Sequence, residues 1–216
     1  MTAQLKVGLL HTVPALAGTF QDLVARQNPA LRQVHVADAE LLATAVREGV
    51  TEEVFARVRR HVRYLVEDGA AAVLVTCSSI GEAVEAAARD AEVPVLRVDA
   101  PMAEEAVRAA GDGGRIAVLA TLQATLGPTG RLLERAAAGT GVTVAATVVE
   151  GAADARAAGD QDEHDRLVRA AVETAEADAI VLAQASMAQA VAGLDVRTFT
   201  SPAGGVAALL AAVGRS

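Results

Sequence analysis

Polar and apolar positions along the chain fall into two alternating kinds of block. One is a short, unbroken run of Val, Ile and Leu. The other is longer, with Ala, Leu and Val recurring every third or fourth position among Glu, Asp and Arg. The first pattern is that of a strand buried on both faces, the second that of a helix with one apolar stripe. Strands are expected at 6–10, 34–36, 72–76 and 95–98 in the first half, and at 115–120, 142–148, 180–183 and 196–199 in the second. Helices are expected at 18–27, 51–67, 79–91, 101–110, 123–138, 163–176, 186–192 and 202–213. Strand and helix in regular alternation predict an α/β protein built on parallel sheets with helices on both faces.

The two halves repeat one another. Lys6-Val7-Gly8-Leu9-Leu10-His11-Thr12 aligns with Arg115-Ile116-Ala117-Val118-Leu119-Ala120-Thr121. The run ending at Cys77-Ser78-Ser79 aligns with the run ending at Gln184-Ala185-Ser186, at nearly the same offset. Asp99-Ala100-Pro101 and Thr200-Ser201-Pro202 each place a proline at a helix start, where its missing N–H is harmless. The expected fold is therefore two pseudo-symmetric lobes, each a parallel four-stranded sheet flanked by helices, with a cleft between them. The first lobe would take 1–100 and 202–216, the second 101–201.

Composition narrows the partners. The formal net charge of the 216 residues is −8 and there is no basic run, which argues against nucleic acid and anionic membrane. No apolar stretch reaches the length of a membrane span, and the amino terminus lacks a signal-peptide pattern, so a soluble cytoplasmic protein is expected. A single cysteine excludes internal disulfides and thiolate clusters, and the four histidines show no metal-ligand spacing. Oligomeric state is open: Arg-rich and Ala-rich helices offer faces for a homo-oligomer, and nothing in the sequence selects one.

In open α/β sheets, ligands gather at the carboxyl ends of the strands. Four segments lie there: His11-Thr12, Cys77-Ser78-Ser79, Thr121, and Gln184-Ala185-Ser186. Cys77 ends a strand and opens a helix, where orphan N–H groups and the helix dipole favour thiolate and should lower its pKa. The plain alternative is a small buried hydrophobe. His11 is placed to orient or deprotonate Cys77, or else is a satisfied structural histidine. Ser78, Ser79 and Ser186 can hold carboxylate or enediolate oxygens, with Thr12, Thr121 and Gln184 nearby, although hydroxyls at strand ends also cap helices. His35, His61 and His164 read as structural or solvated, and Arg57, Arg59, Arg60 and Arg63 as a solvated or interface face. Gly111-Asp112-Gly113-Gly114 precedes a strand and reads as a turn. Pro202-Ala203-Gly204-Gly205 suits either anion contact or close packing.

On the two-lobe repeat and the strand–Cys–hydroxyl–helix motif, the chain resembles the aspartate/glutamate/hydantoin racemase superfamily over essentially its whole length. The resemblance implies small carboxylate-bearing substrates and acid/base chemistry without metal or organic cofactor. Family members carry one cysteine per lobe, one removing a proton and the other returning it. Cys77 matches the first, and Gln184 stands at the position of the second. Inversion needs proton delivery on the face opposite removal, which an amide cannot provide. The expected activity is thus that of an isomerase or lyase using one thiol, with Cys77 as acid/base and His11 supporting it. Two other readings stand beside it: a cysteine-nucleophile hydrolase or decarboxylase, and a non-catalytic protein that binds a small acid.

Overall fold

The computed structural model describes residues 5–194 and 196–214. Their contacts divide into two units: one takes the chain up to Val98 and again from Pro202, and the other is Asp99–Ser201.

In the first unit, strands β1 (Lys6–His11), β2 (Arg32–Ala37), β3 (Val73–Val75) and β4 (Val95–Arg97) form a parallel sheet in the order β2-β1-β3-β4. Helices α1 (Leu16–Gln27), α2 (Ala39–Glu48), α3 (Glu52–Glu67) and α4 (Gly81–Asp90) connect them, and the closing helix Ser201–Val213 returns here. The stripe Val54, Val58, Val62, Leu65 on α3 is buried in the same core as Val73 and Val75 of β3. Burying such a side chain contributes roughly 1.5–3 kcal/mol. Gly8 lets α3 lie close on β1, because a Cβ there would stand 3.0 Å from that of Leu65. Gly205 does the same for the closing helix: a Cβ would meet Val98 Cγ2 at 2.7 Å and its carbonyl oxygen at 2.9 Å. Close packing accounts for that glycine.

The second unit repeats the plan. Strands β5 (Arg115–Ala120), β6 (Thr143–Val148), β7 (Ala179–Leu182) and β8 (Thr198–Thr200) are parallel in the order β6-β5-β7-β8. Its helices are α5 (Ala100–Ala110), α6 (Gln123–Ala136), α7 (Ala152–Ala157) and α8 (Gln161–Thr174). Registers agree between the units as well: Leu10 pairs with Val75 in the first, Leu119 with Leu182 in the second.

The α/β architecture and the two four-stranded parallel sheets are as expected. Helices α2 and α7 were not anticipated. The first is a short Ala/Leu-rich segment opened by Asp38, and Ala152–Ala157 has no bulky residue to mark an apolar stripe. The helix expected at 186–192 is a 3-10 run, Ala185–Val191, closed by Gly193 at φ +82°. Its one-turn bonds include Met187 N–H to the Gln184 carbonyl at 3.0 Å. Gly111 and Gly113, at φ +73° and +72°, form the turn read from the sequence. Among the described residues no helix is long and apolar enough to cross a membrane, and no three His, Cys, Asp or Glu side chains are grouped to hold a metal.

Candidate active site at the strand ends

In the first unit, β1 and β3 run side by side, so Thr12 and Cys77, each two residues past the paired Leu10 and Val75, arrive together at the carboxyl edge. Cys77 is extended, at φ −132° and ψ 116°, and leads into a single 3-10 turn, Ser78–Ile80, before α4 begins. That turn brings backbone donors near the sulfur. The Thr12 hydroxyl, the N–H groups of Ser79 and Ile80, and the Ser79 hydroxyl lie near enough to the sulfur to favour its thiolate, although no backbone N–H closes a cap hydrogen bond to it. Cys77 keeps some exposure, whereas Ser78 and Ser79 are buried, only 5% and 3% exposed. The Ser78 hydroxyl has no protein partner.

Two expectations for this thiol need correction. Its pKa is raised, not lowered: burial disfavours the thiolate by more than the Thr12, Ser79 and Ile80 donors favour it. A one-turn 3-10 segment brings too few aligned peptides to reverse that balance. His11, in addition, does not turn its ring nitrogens to Cys77. It is fully buried, with Nδ1 2.9 Å from Thr76 Oγ1 and Nε2 2.9 Å from His35 Nδ1, and its ring stacks on that of His35 with centroids 5.1 Å apart. Burial, and next the charge of His35, lower its pKa from 6.5 to about 4, so His11 is neutral at pH 7.

The proton positions along this chain follow from its far end. The Gln33 amide nitrogen donates to the Gln21 carbonyl at 3.2 Å, which leaves Gln33 Oε1 facing His35 Nε2 at 3.1 Å. His35 must then donate from Nε2 and accept at Nδ1 from His11 Nε2–H. His11 then faces the Thr76 hydroxyl with a bare Nδ1 at 2.9 Å, and the one hydroxyl proton is shared between it and the Leu10 carbonyl at 3.2 Å. A signal for the pair existed in the sequence: His35 pairs with Leu9 across β1 and β2, so strand alternation puts it on the same face as His11. Asp38 was also missed. At the end of β2 it accepts from Arg57 at 2.6 and 2.8 Å and from His61 at 2.6 Å, so these two residues form a network instead of a solvated face.

The second unit carries the same strand-end arrangement with different chemistry. Thr121 and Gln184 are each two residues past the paired Leu119 and Leu182, and Gln184 is extended like Cys77, at φ −124° and ψ 134°. Its Oε1 accepts from the Thr121 N–H at 2.6 Å and from the Thr121 hydroxyl at 3.0 Å. Ala185 and Ser186 follow in the 3-10 run and are half-buried. His164, expected to be structural or solvated, is fully buried on α8.

The family model for Asp/Glu/hydantoin racemases matches residues 67–209, most of the chain. The chain belongs to the Asp/Glu/hydantoin racemase family. Solved structures agree at the level of fold. A glutamate racemase isoform from Bacillus anthracis superposes with a TM-score of 0.75 at 20% identity, covering 100% of this chain and 83% of that one. The aspartate racemase of Picrophilus torridus gives 0.70 at 14%, covering 97% and 94%. A glycine-to-cysteine mutant of arylmalonate decarboxylase gives 0.59 at 20%, covering 97% and 93%. A search of curated protein sequences finds no match. In this chain the second strand-end position carries an amide, Gln184.

Proposed function

We propose that the protein is an enzyme of isomerase or lyase type that acts on a small carboxylate-bearing substrate through side-chain acid/base chemistry, with Cys77 delivering a proton to carbon. The observation that carries this reading is the surrounding of the sulfur. The thiol of a half-buried cysteine at a strand end sits near the Thr12, Ser79 and Ile80 donors, with the unpartnered Ser78 hydroxyl on the next residue. Burial keeps the proton on sulfur at neutral pH, which suits a donor to a carbanion or enediolate. When the proton leaves, the same N–H and O–H groups stabilise the thiolate that forms. The Ser78 hydroxyl is available to a substrate carboxylate oxygen. His11 stands behind this arrangement as the neutral acceptor that orients Thr76, the residue before Cys77.

A nucleophilic role for the thiol fits less well, since a raised pKa leaves little thiolate and no histidine nitrogen is turned to the sulfur. Decarboxylation ends in the same protonation of a carbanion, so it belongs within the proposal. The test uses the acids on which the similar structures are named to act. Aspartate, glutamate and, as an arylmalonate, phenylmalonate are incubated in D2O with the full chain and with Cys77→Ala. Deuterium entering at carbon, or loss of CO2, is expected from the first and not from the second. Undiminished turnover by Cys77→Ala would end the proposal.

A further inference from the structure

His164 has one ring nitrogen bound by a carboxylate and the other fully buried without a hydrogen-bond partner. Nδ1 lies 2.8 Å from Asp165 Oδ1, and at that distance a carboxylate requires the proton on Nδ1. The Gln161 amide nitrogen, 3.2 Å from Nδ1, instead donates to Asp165 Oδ1 at 2.7 Å. In the neutral ring, Nε2 is then the nitrogen that carries the lone pair. It is fully buried and has no hydrogen-bond partner. A buried acceptor left without a partner is unfavourable and calls for an explanation, such as work the group has to do.

Its place in the fold indicates the work. The chain leaves β6 at its carboxyl end, where Val149 N–H bonds the Ala120 carbonyl at 2.7 Å. It re-enters near the amino end of β5, where Asp178 N–H bonds the Arg115 carbonyl at 2.9 Å. Helix α8 thus runs antiparallel to the strands and begins at their carboxyl edge. His164 is in its first turn and shares its buried face with Val168 and Val172. Val168 and Val172 belong to one hydrophobic core with Leu182 of β7 and Met187 of the 3-10 run, and α8 packs against that run. The run heads the same way as α8, since β8 must start beside Ile180. Arg169 bonds the Ala190 carbonyl at 2.6 Å, so His164, five residues earlier, lies towards the start of the run at Gln184–Ser186.

We infer that His164, oriented by Asp165, is the proton-handling residue of the Asp99–Ser201 unit, its Nε2 taking the acidic proton of a small carboxylate substrate held at the carboxyl edge of β5 and β7. The inference rests on the acid/base reading above and adds to it a group that can do what the Gln184 amide cannot. In the step, the carbon–hydrogen bond breaks, its electron pair stays on the substrate as a carbanion or enediolate, and the proton forms a bond to Nε2. Asp165 then faces an imidazolium instead of a neutral ring, and no oxidant or cofactor enters the balance. Nε2 is sealed from solvent, and the wall most easily displaced to admit a ligand is the neighbouring 3-10 run, whose bonds are the weaker kind.

The experiment combines imidazole nitrogen NMR on the uniformly 15N-labelled full chain with the deuterium assay. Neutral His164 is expected with its proton on Nδ1 and a bare Nε2; a proton on Nε2 overturns the inference whatever the activity. In the assay, His164→Gln should lower turnover at least 100-fold with KM within about 3-fold and with an unchanged circular dichroism spectrum. Asp165→Asn should lower it less while shifting the His164 resonances. Full activity in His164→Gln overturns the inference and leaves the Cys77 reading intact, whereas full activity in Cys77→Ala does the reverse. Should none of the three acids turn over, addition of malonate decides: movement of the Nε2 resonance supports the inference, and an unmoved resonance overturns it.

Discussion

Acidification should destabilise this protein through His11. The unfolded chain takes up a proton on that ring near pH 6.5, whereas the folded protein resists it until about pH 4, because the imidazole is fully buried against His35. A depressed histidine pKa means that the contribution is whole above 6.5 and is lost as pH falls towards 4. Each pKa unit is worth about 1.4 kcal/mol, so the full loss is about 3 kcal/mol, a large part of the 5–15 kcal/mol typical of a domain. The perturbation that isolates it is His11→Gln, which keeps an amide able to accept from Thr76 and donate to His35 but cannot titrate. Urea unfolding is followed by circular dichroism at fixed ionic strength from pH 7.5 to 4. The variant should be about 1 kcal/mol less stable at pH 7.5, for imperfect hydrogen bonds, and should lose about 3 kcal/mol less than the parent on acidification. Carboxylates common to both proteins cancel in that difference. Parallel curves for the two proteins would refute the reasoning.

Gly81→Ala should cost about 1–3 kcal/mol in urea unfolding, since its Cβ would stand 2.2 Å from the Arg97 guanidinium carbon, and Arg97 is buried and paired with Glu85 and so cannot swing away freely. Asp38→Asn should cost about 2 kcal/mol at pH 7 by leaving Arg57 and His61 without their carboxylate. Burial alone would raise the Asp38 pKa, but Arg57 and His61 outweigh it and hold the pKa below 3.8, so this contribution is present above that pH and lost below it. A pH titration of stability should be flatter below 4 in the variant. Thr121→Val removes the 3.0 Å hydroxyl bond to Gln184 and keeps the 2.6 Å one from the backbone, so thermal unfolding should register a loss of about 1 kcal/mol.

The legible part of this molecule is what period and punctuation encode. Continuous apolar runs marked the strands, Pro101 and Pro202 marked helix starts, and the repeat of Leu10-His11-Thr12 in Leu119-Ala120-Thr121 implied two sheets of one plan. What period does not encode is the balance of opposing terms at a single atom. The sulfur of Cys77 was placed correctly at a strand end, but the sign of its pKa shift depends on how far burial outweighs a few donors, and side-chain identity alone leaves that undetermined. His164 was obscured by the acidic residues around it, Asp160 to Asp165, which suggest a solvated surface. Only the helical phase, with Val168 and Val172 at successive turns, puts it inside.

The two strand-end pairs separate two jobs that a cysteine performs at once. In each unit a threonine at the end of the first strand stands beside the residue at the end of the third. The Thr12 hydroxyl lies beside the Cys77 sulfur and favours its thiolate, and the Thr121 hydroxyl donates to Gln184. The donor is the same hydroxyl and the backbone conformation at the acceptor is nearly the same, so what the fold demands there is an acceptor able to tie two adjacent parallel strands together. Sulfur and amide oxygen both meet that demand. Only sulfur also ionises within the range of pH where proteins work. Exchange of one for the other is therefore cheap in structure and decisive in chemistry, which is why the second sheet keeps its shape with Gln184 while any proton transfer at its edge has to come from another side chain.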